Sequence, residues 1–244
     1  MRKFADLHLC PPINDLERVK EIVGKSFGLG YSLVGIPLST GIADKAIHQL
    51  QVICHNAKMD LVKRIDLTPR TPHDLLRDLR RFRRRFEVIS VLCASKAVAR
   101  QAAKDRRVDI LSFSATNLRR RFFDHAEAEL ASNALSCLEI DMAPLLTLTG
   151  FPRAHLISRL RQEVAIAKKF NVPVILSSGA TDEYLLRNPH DYAALAILFN
   201  FTLPRSLRAL SEDPLAVVER NRGKLSPDYL APGLRIVKRG GQSE

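Results

Sequence analysis

Phe4-Ala-Asp-Leu-His-Leu-Cys10, FADLHLC, opens the chain with a short apolar run that carries an Asp and a His two residues apart, and two prolines follow it. Such a run, ended by a Pro-Pro turn, reads as a strand with its polar groups near the C-terminal end. Six further runs resemble it, at 32–37 (SLVGIP), 60–67 (DLVKRIDL), 86–94 (FEVISVLCA), 108–114 (VDILSFS), 135–142 (LSCLEIDM) and 172–178 (VPVILSS). Helical patterns fill the gaps at 14–26, 43–57, 73–84, 96–105, 122–133 and 153–170, with two more near 189–199 and 213–222. Strands alternating with helices imply parallel pairing through right-handed crossovers. Seven such units in 244 residues fit a TIM-like β/α barrel of seven or eight mainly parallel strands better than an open sheet. An eighth strand is expected either after Phe201 or at 234–238. No Ser/Gly linker divides the chain. Residues 1–230 are therefore read as one barrel domain, and 231–244 as a partly flexible C-terminal extension.

In such a barrel, functional groups gather where the strands end. Those ends carry Asp6 and His8, Pro37-Leu-Ser-Thr40, Asp66, Ser95, Ser112 and Ser114, Glu139 and Asp141, and Ser177-Ser-Gly-Ala180. A metal-dependent hydrolase needs several His and carboxylate ligands around an open water position. Of the seven histidines (8, 48, 55, 73, 125, 155 and 190) only His8 sits at a strand end, and neither H-x-H nor H-E-x-x-H occurs. Asp6, His8, Glu139 and Asp141 are read instead as a buried, hydrogen-bonded polar cluster. Residues 177–180 are a weak candidate phosphate site, since barrels often bind phosphate after strands 7 and 8. Cysteines 10, 54, 93 and 137 form no C-x-x-C pair and are read as reduced cysteines of a cytosolic protein. Neither a membrane helix nor a signal peptide is expected.

Charge is the strongest global signal. Lys and Arg number 38 against 26 Asp and Glu, a net +12, and the pI is about 9.9. An excess of this size favours a polyanionic partner. In Leu75 to Phe86, LLRDLRRFRRRF, helical spacing puts Leu75, Leu79, Phe82 and Phe86 on one stripe. Arg77, Arg80, Arg81, Arg84 and Arg85 then fall on the opposite face. A second cluster is Lys96, Arg100, Lys104, Arg106 and Arg107, and a third is Arg119, Arg120 and Arg121. Three clusters on successive β/α units should be neighbours around the barrel wall. Guanidinium forks match phosphate oxygens. Aromatic residues make up only 6% of the chain and Trp is absent. A basic, aromatic-poor surface suits backbone and shape recognition of a folded RNA more than base stacking. A membrane is not the expected partner, because the arginine helix spends its apolar stripe on the core.

These residues resemble a family, that of archaeal ribonuclease P protein component 3. The matching stretches are FADLHL at 4–9, Arg107 to Phe113, Cys137 to Asp141 with Pro144-Leu-Leu146, Val172 to Ala180, and Leu186-Arg-Asn-Pro-His-Asp191, which adds Arg187 to the candidate RNA contacts. The resemblance implies a TIM-like barrel and a subunit of the ribonucleoprotein that removes the 5′ leader from precursor tRNA. It implies that the RNA is the catalyst and requires Mg²⁺, and that this chain has no catalytic residue and binds no cofactor. The implied partners are the ribonuclease P RNA, protein component 2 as a heterodimer or heterotetramer, other ribonuclease P proteins and, indirectly, precursor tRNA. The family is also similar in fold to the polymerase-and-histidinol-phosphatase metallohydrolases, whose metal ligands match here only at His8. Cys10, Pro37 and Ala180 stand near the other expected ligand places, so FADLHLC reads as the remnant of a metal site. The alternatives are a metal-dependent phosphoesterase of that type, or a metabolic barrel enzyme with a phosphate site at 177–180.

Overall fold

A computed structural model describes residues 2–231 and 234–235. Strand β1 (Phe4–Asp6) leads into helix α1 (Leu16–Gly28), and β2 (Tyr31–Pro37) into α2 (Asp44–Asn56). The step repeats through β3 (Asp60–Leu67), α3 (Pro72–Phe82), β4 (Val88–Leu92), α4 (Lys96–Lys104), β5 (Ile110–Ser112) and α5 (His125–Ala134). After β6 (Cys137–Asp141) come α6 (Ala143–Thr147), α7 (Gly150–Lys169) and β7 (Val174–Ser177). Helices α8 (Pro189–Ala196), α9 (Leu203–Ala209) and α10 (Glu212–Leu225) follow, then a small hairpin of β8 (Tyr229–Ala231) and β9 (Leu234–Arg235).

Strands β1 to β7 form one sheet in sequence order, and every neighbouring pair is parallel. The sheet rolls up until its first and last strands meet. Leu9 bridges Ala180, Gly179 N–H donates to the His8 carbonyl at 2.9 Å, and Cys10 N–H donates to the Ala180 carbonyl at 2.8 Å. Seven strands therefore suffice for closure, and among the described residues there is no eighth barrel strand. The segment after Phe201 forms α9 and α10, and Leu234–Arg235 pairs antiparallel with β8, outside the seven-stranded sheet. Most of the extension expected at 231–244 lies outside the described residues.

The lumen is layered because alternate residues of each strand point inward. The lowest layer is apolar: Ala5, Leu33, Val62, Val88, Ile110, Cys137 and Ile175, with Val217 and Val218 of α10 closing it from below. Two residues further along each strand stand Leu7, Gly35, Arg64, Ser90, Ser112, Glu139 and Ser177, a largely polar layer. Gly35 is required there, because any Cβ would collide with the Leu7 carbonyl oxygen. The outer strand faces and the apolar helix stripes form the larger core.

Thr71 caps α3 by accepting from Asp74 N–H, and Pro72 supplies the first helical φ. The expected stripe of Leu75, Leu79, Phe82 and Phe86 is buried, with Phe82 and Phe86 edge to face at 6.0 Å. The helix stops at Phe82, two residues short of the expected end, because Arg83 turns back into the structure. Helices α6 and α9 were not expected; both are short, with a proline as their second residue, and too brief to show a 3.6-residue period. Cys54, Cys93 and Cys137 are free and buried, and Cys10 is free and half-buried.

Candidate functional site

The barrel mouth is a network of charges. Arg64, from β3, is wholly buried. Its Nη1 donates to Glu139 Oε1 at 2.6 Å and to the Leu7 carbonyl at 2.8 Å, while Nη2 donates to Glu139 Oε2 at 2.6 Å. Its Nε donates to Asp66 Oδ1 at 2.7 Å, and Ser177 Oγ donates to Glu139 Oε1 at 2.7 Å. His8 lies above, with Nδ1 at 2.8 Å from Asp141 and Nε2 at 3.1 Å from Asp66. Burial and the nearby Arg64 disfavour the imidazolium, but the charge and hydrogen bonds of Asp141 and the bond from Asp66 outweigh them, so the His8 pKa is raised well above its ordinary value. Burial opposes the Asp66 carboxylate, yet Arg64 and His8 hold its pKa well below the usual range. Gly179, at φ +60°, packs where a Cβ would press at 2.9 Å on the Cβ of Asp141, so this turn must be glycine for Asp141 to hold His8. A cavity of about 410 Å³ opens above the network, walled by Ser90, Leu92, Ser112 and Phe113.

Of the four residues expected to meet here, Asp6 joins only through the backbone: its Oδ1 accepts from His8 N–H at 3.2 Å, with no hydrogen bond to the side chains of the other three. It lies on the other face of its strand, where its charge acts on Tyr31 and Tyr192. Its Oδ1 accepts from Ser178 N–H at 2.9 Å, which ties β1 to β7 across the seam. Burial raises its pKa.

His8, Glu139 and Asp141 each bring one possible metal-ligand atom within 4.8 Å of the others. The donor set does not fit a metal. Both Glu139 oxygens are held by Arg64, both His8 nitrogens face carboxylates, and a guanidinium already supplies the positive charge in the lumen. An incoming cation would have to break the buried ion pair and sit beside Arg64. The phosphate site expected at 177–180 is also corrected. Ser177 Oγ turns inward to Glu139 and Ser178 Oγ to the His8 carbonyl. The next helical turn, 183–185, is capped by the Asp182 carboxylate, which occupies the N–H groups a phosphate would need.

The outer wall carries the remaining charge. Arg80, Arg81, Arg84, Arg85, Arg119 and Arg120 are exposed, and none has an ion pair among the described residues. Arg77 is exposed but faces Asp74 at 3.1 Å and Asp78 at 3.6 Å. Lys96 pairs with Asp124 at 3.4 Å, Arg100 with Glu127 at 3.3 Å, and Arg107 clasps Asp105 at 2.7 Å. Arg187 is half-buried and donates to the carbonyls of Tyr184 and Leu186. Arg121 leaves the third cluster. It is buried, with two bonds to Glu163 at 2.8 and 2.6 Å and one to the Phe113 carbonyl at 2.9 Å. Arg83 is likewise structural, holding Asp109 and the carbonyls of Phe86, Glu87 and Arg107.

The family model of "RNase P subunit p30" matches residues 3–226. The chain belongs to the RNase P subunit p30 family. It is 30% identical to the ribonuclease P protein component 3 of Methanosarcina barkeri over 99% of this chain and 98% of that one. Against the same component of Methanococcoides burtonii it is 29% identical over 97% and 95%. Its fold matches a chain of an archaeal ribonuclease P solved by cryo-EM with mature tRNA, at TM-score 0.82 and 21% identity, covering 98% of this chain and all of that one. A fungal ochratoxinase shares the barrel more loosely, at TM-score 0.61 and 12% identity over 89% and 71%. As an RNase P subunit p30 member, the chain is a protein subunit of ribonuclease P with a role in tRNA processing. The sequence reading missed Arg64 and the split between structural and free arginines. For Arg64 a signal existed: in DLVKRIDL the inward register Val62, Arg64, Asp66 places a lone cation inside a barrel.

Proposed function

We propose that this chain is a non-catalytic, RNA-contacting subunit of the ribonuclease P holoenzyme. In this reading the RNA, with Mg²⁺, removes the 5′ leader from precursor tRNA in the cytoplasm. Among the described residues no helix is long and apolar enough to cross a membrane. The chain pairs with protein component 2, as a heterodimer doubled into a heterotetramer, beside other ribonuclease P proteins. The observation that carries the reading is the free guanidinium face: Arg80, Arg81, Arg84 and Arg85 project from one helix end without a carboxylate to neutralise them, and Arg119 and Arg120 project from a later β/α unit. Such a face offsets phosphate repulsion and releases counterions from RNA. Arg77, Lys96, Arg100, Arg107 and Arg187 take lesser parts, since each has a protein partner to exchange. The absence of a catalytic role is supported by the mouth, where every strong acid and base is spent on another side chain.

Reconstitution tests this. The chain alone should not cleave precursor tRNA. Added to ribonuclease P RNA with its partner subunit, it should raise cleavage or lower the Mg²⁺ required. Cleavage by this chain without RNA would refute the proposal.

A further inference from the structure

At the end of the barrel opposite the polar mouth, a cleft of about 940 Å³ runs between the turn after α3, the exit of α4 and the C-terminal half of α10. Arg83, Arg84, Arg106, Arg107, Arg220 and Lys224 line it, together with one acid, Glu219. These cations come from three separate stretches of the chain, so no run in the sequence displays them together.

They are of two kinds. Arg83, Arg107 and Arg220 are anchored. Arg83 and Arg220 share the single buried carboxylate of Asp109 from opposite sides, and Arg220 also donates to the Leu135 carbonyl at 2.8 Å. Arg107 clasps Asp105. Arg84, Arg106 and Lys224 have no ion pair among the described residues. Asp109 is already outnumbered by its two guanidinium partners, so the cleft holds net positive charge. Lys224 registers the crowding: burial, and then Arg220, Arg83 and Arg106, push its pKa below the ordinary value despite Asp109. An anion entering the cleft would relieve that repulsion. The anchored guanidiniums lose little freedom on binding, and the free heads can adjust to the ligand. Among the described residues the only aromatic side chain at the cleft is Tyr229, which leaves no platform for stacking successive bases.

We propose that this cleft takes the phosphate backbone of the ribonuclease P RNA, so that the RNA grips the closed bottom of the barrel through α10 as well as its side wall. The proposal rests on the RNA-contacting reading above and adds to it a second surface. Helix α10 suits the task because Val217 and Val218 fix it in the barrel floor while Arg220 and Lys224 face the cleft.

The test is the full chain carrying Arg106→Ala and Lys224→Ala. Neither side chain has a described ion-pair partner, so thermal unfolding should stay near that of the parent. Binding to an archaeal ribonuclease P RNA transcript and to a precursor tRNA transcript is measured across a salt series, beside an Arg80→Ala/Arg81→Ala variant. With the ribonuclease P RNA, the slope of log K against log salt should fall by roughly 1.4–1.8, from about 0.7–0.9 for each lost phosphate contact. Affinity at low salt should drop on the order of tenfold. Precursor tRNA should be affected less. An unchanged slope in the cleft variant, with a reduced slope in the side-wall variant, would overturn the cleft and leave the RNA-contacting reading standing. A loss confined to precursor tRNA, or equal for both RNAs, would overturn the assignment to the ribonuclease P RNA. Intact RNA binding with lost binding of the partner subunit would reassign the cleft to an acidic protein surface. If the parent chain shows no salt-dependent binding to either RNA, the RNA-contacting reading fails first, and the cleft with it.

Discussion

Arg64 on β3 and Glu139 on β6 face each other across the lumen in a two-armed ion pair, 2.6 Å on each arm, with both side chains fully buried. The pair joins opposite walls of the barrel. Removing one partner strands the other as a buried, unpaired charge. Arg64→Met or Glu139→Gln should each lower the unfolding free energy by about 3–5 kcal/mol. The double variant should recover part of that loss, since neither charge is then stranded. Urea unfolding of all four proteins measures the coupling. Losses that simply add would show that the two groups act independently.

His8 gives the mouth a pH dependence. Its folded pKa is raised well above the ordinary value of about 6.5 by Asp141 and Asp66, against burial and Arg64. A raised basic group contributes stability that is complete below the ordinary pKa and lost as pH rises through the folded one. The melting temperature should therefore fall more steeply on the alkaline side in the parent than in His8→Gln, which has no proton to lose. Parallel alkaline limbs would count against an imidazolium held between the two carboxylates.

Glu127 predicts an effect of the same sign, centred at lower pH. Its side chain is buried beside Arg100, and burial, followed by the neighbouring Asp124, pushes its pKa up to about 7. Folding thus favours the protonated form, and this contribution fades as pH rises from the ordinary carboxyl range through about 7. Glu127→Gln should gain in melting temperature relative to the parent on going from about pH 5 to about pH 8. The lost pair with half-exposed Arg100 should matter little. A constant difference across that range would contradict the shift.

The side wall separates binding from folding. Arg80→Ala/Arg81→Ala/Arg84→Ala should flatten the slope of log K against log salt for ribonuclease P RNA by about two units. Its stability should change by no more than about 0.5 kcal/mol per site. Leu79→Ala, beneath the same helix, should cost about 2–5 kcal/mol of stability. An unchanged salt slope in the triple variant would mark this face as merely solvated.

Most of the barrel was legible because its signals are local. DLVKRIDL is a strand over its full predicted length, 60–67, since β-branched and alternating residues need no distant help to declare it. The seven-strand closure was not legible. It depends on Leu9 finding Ala180, a contact between the two ends of the sheet that neither segment encodes alone. The basic clusters were visible as runs, but a run does not say which arginine has an acid waiting. Arg121 finds Glu163 and Arg83 finds Asp109 through the fold, while Arg120 and Arg84, their neighbours in sequence, remain free. The lower cleft was hidden for the same reason, because α10 brings Arg220 and Lys224 to Arg106 only once the barrel exists.

The seam between β1 and β7 also bears on how the protein is made. Strand β1 leaves the ribosome with one edge unpaired, and the backbone groups that satisfy it, those of residues 178–180, are synthesised only after β2 to β7. Until then that edge is a template for any passing strand. The floor helix arrives later still, so the apolar bottom of the lumen stays open through most of translation. Recombinant yield should therefore be sensitive to cuts after residue 180 that leave β1 to β7 intact.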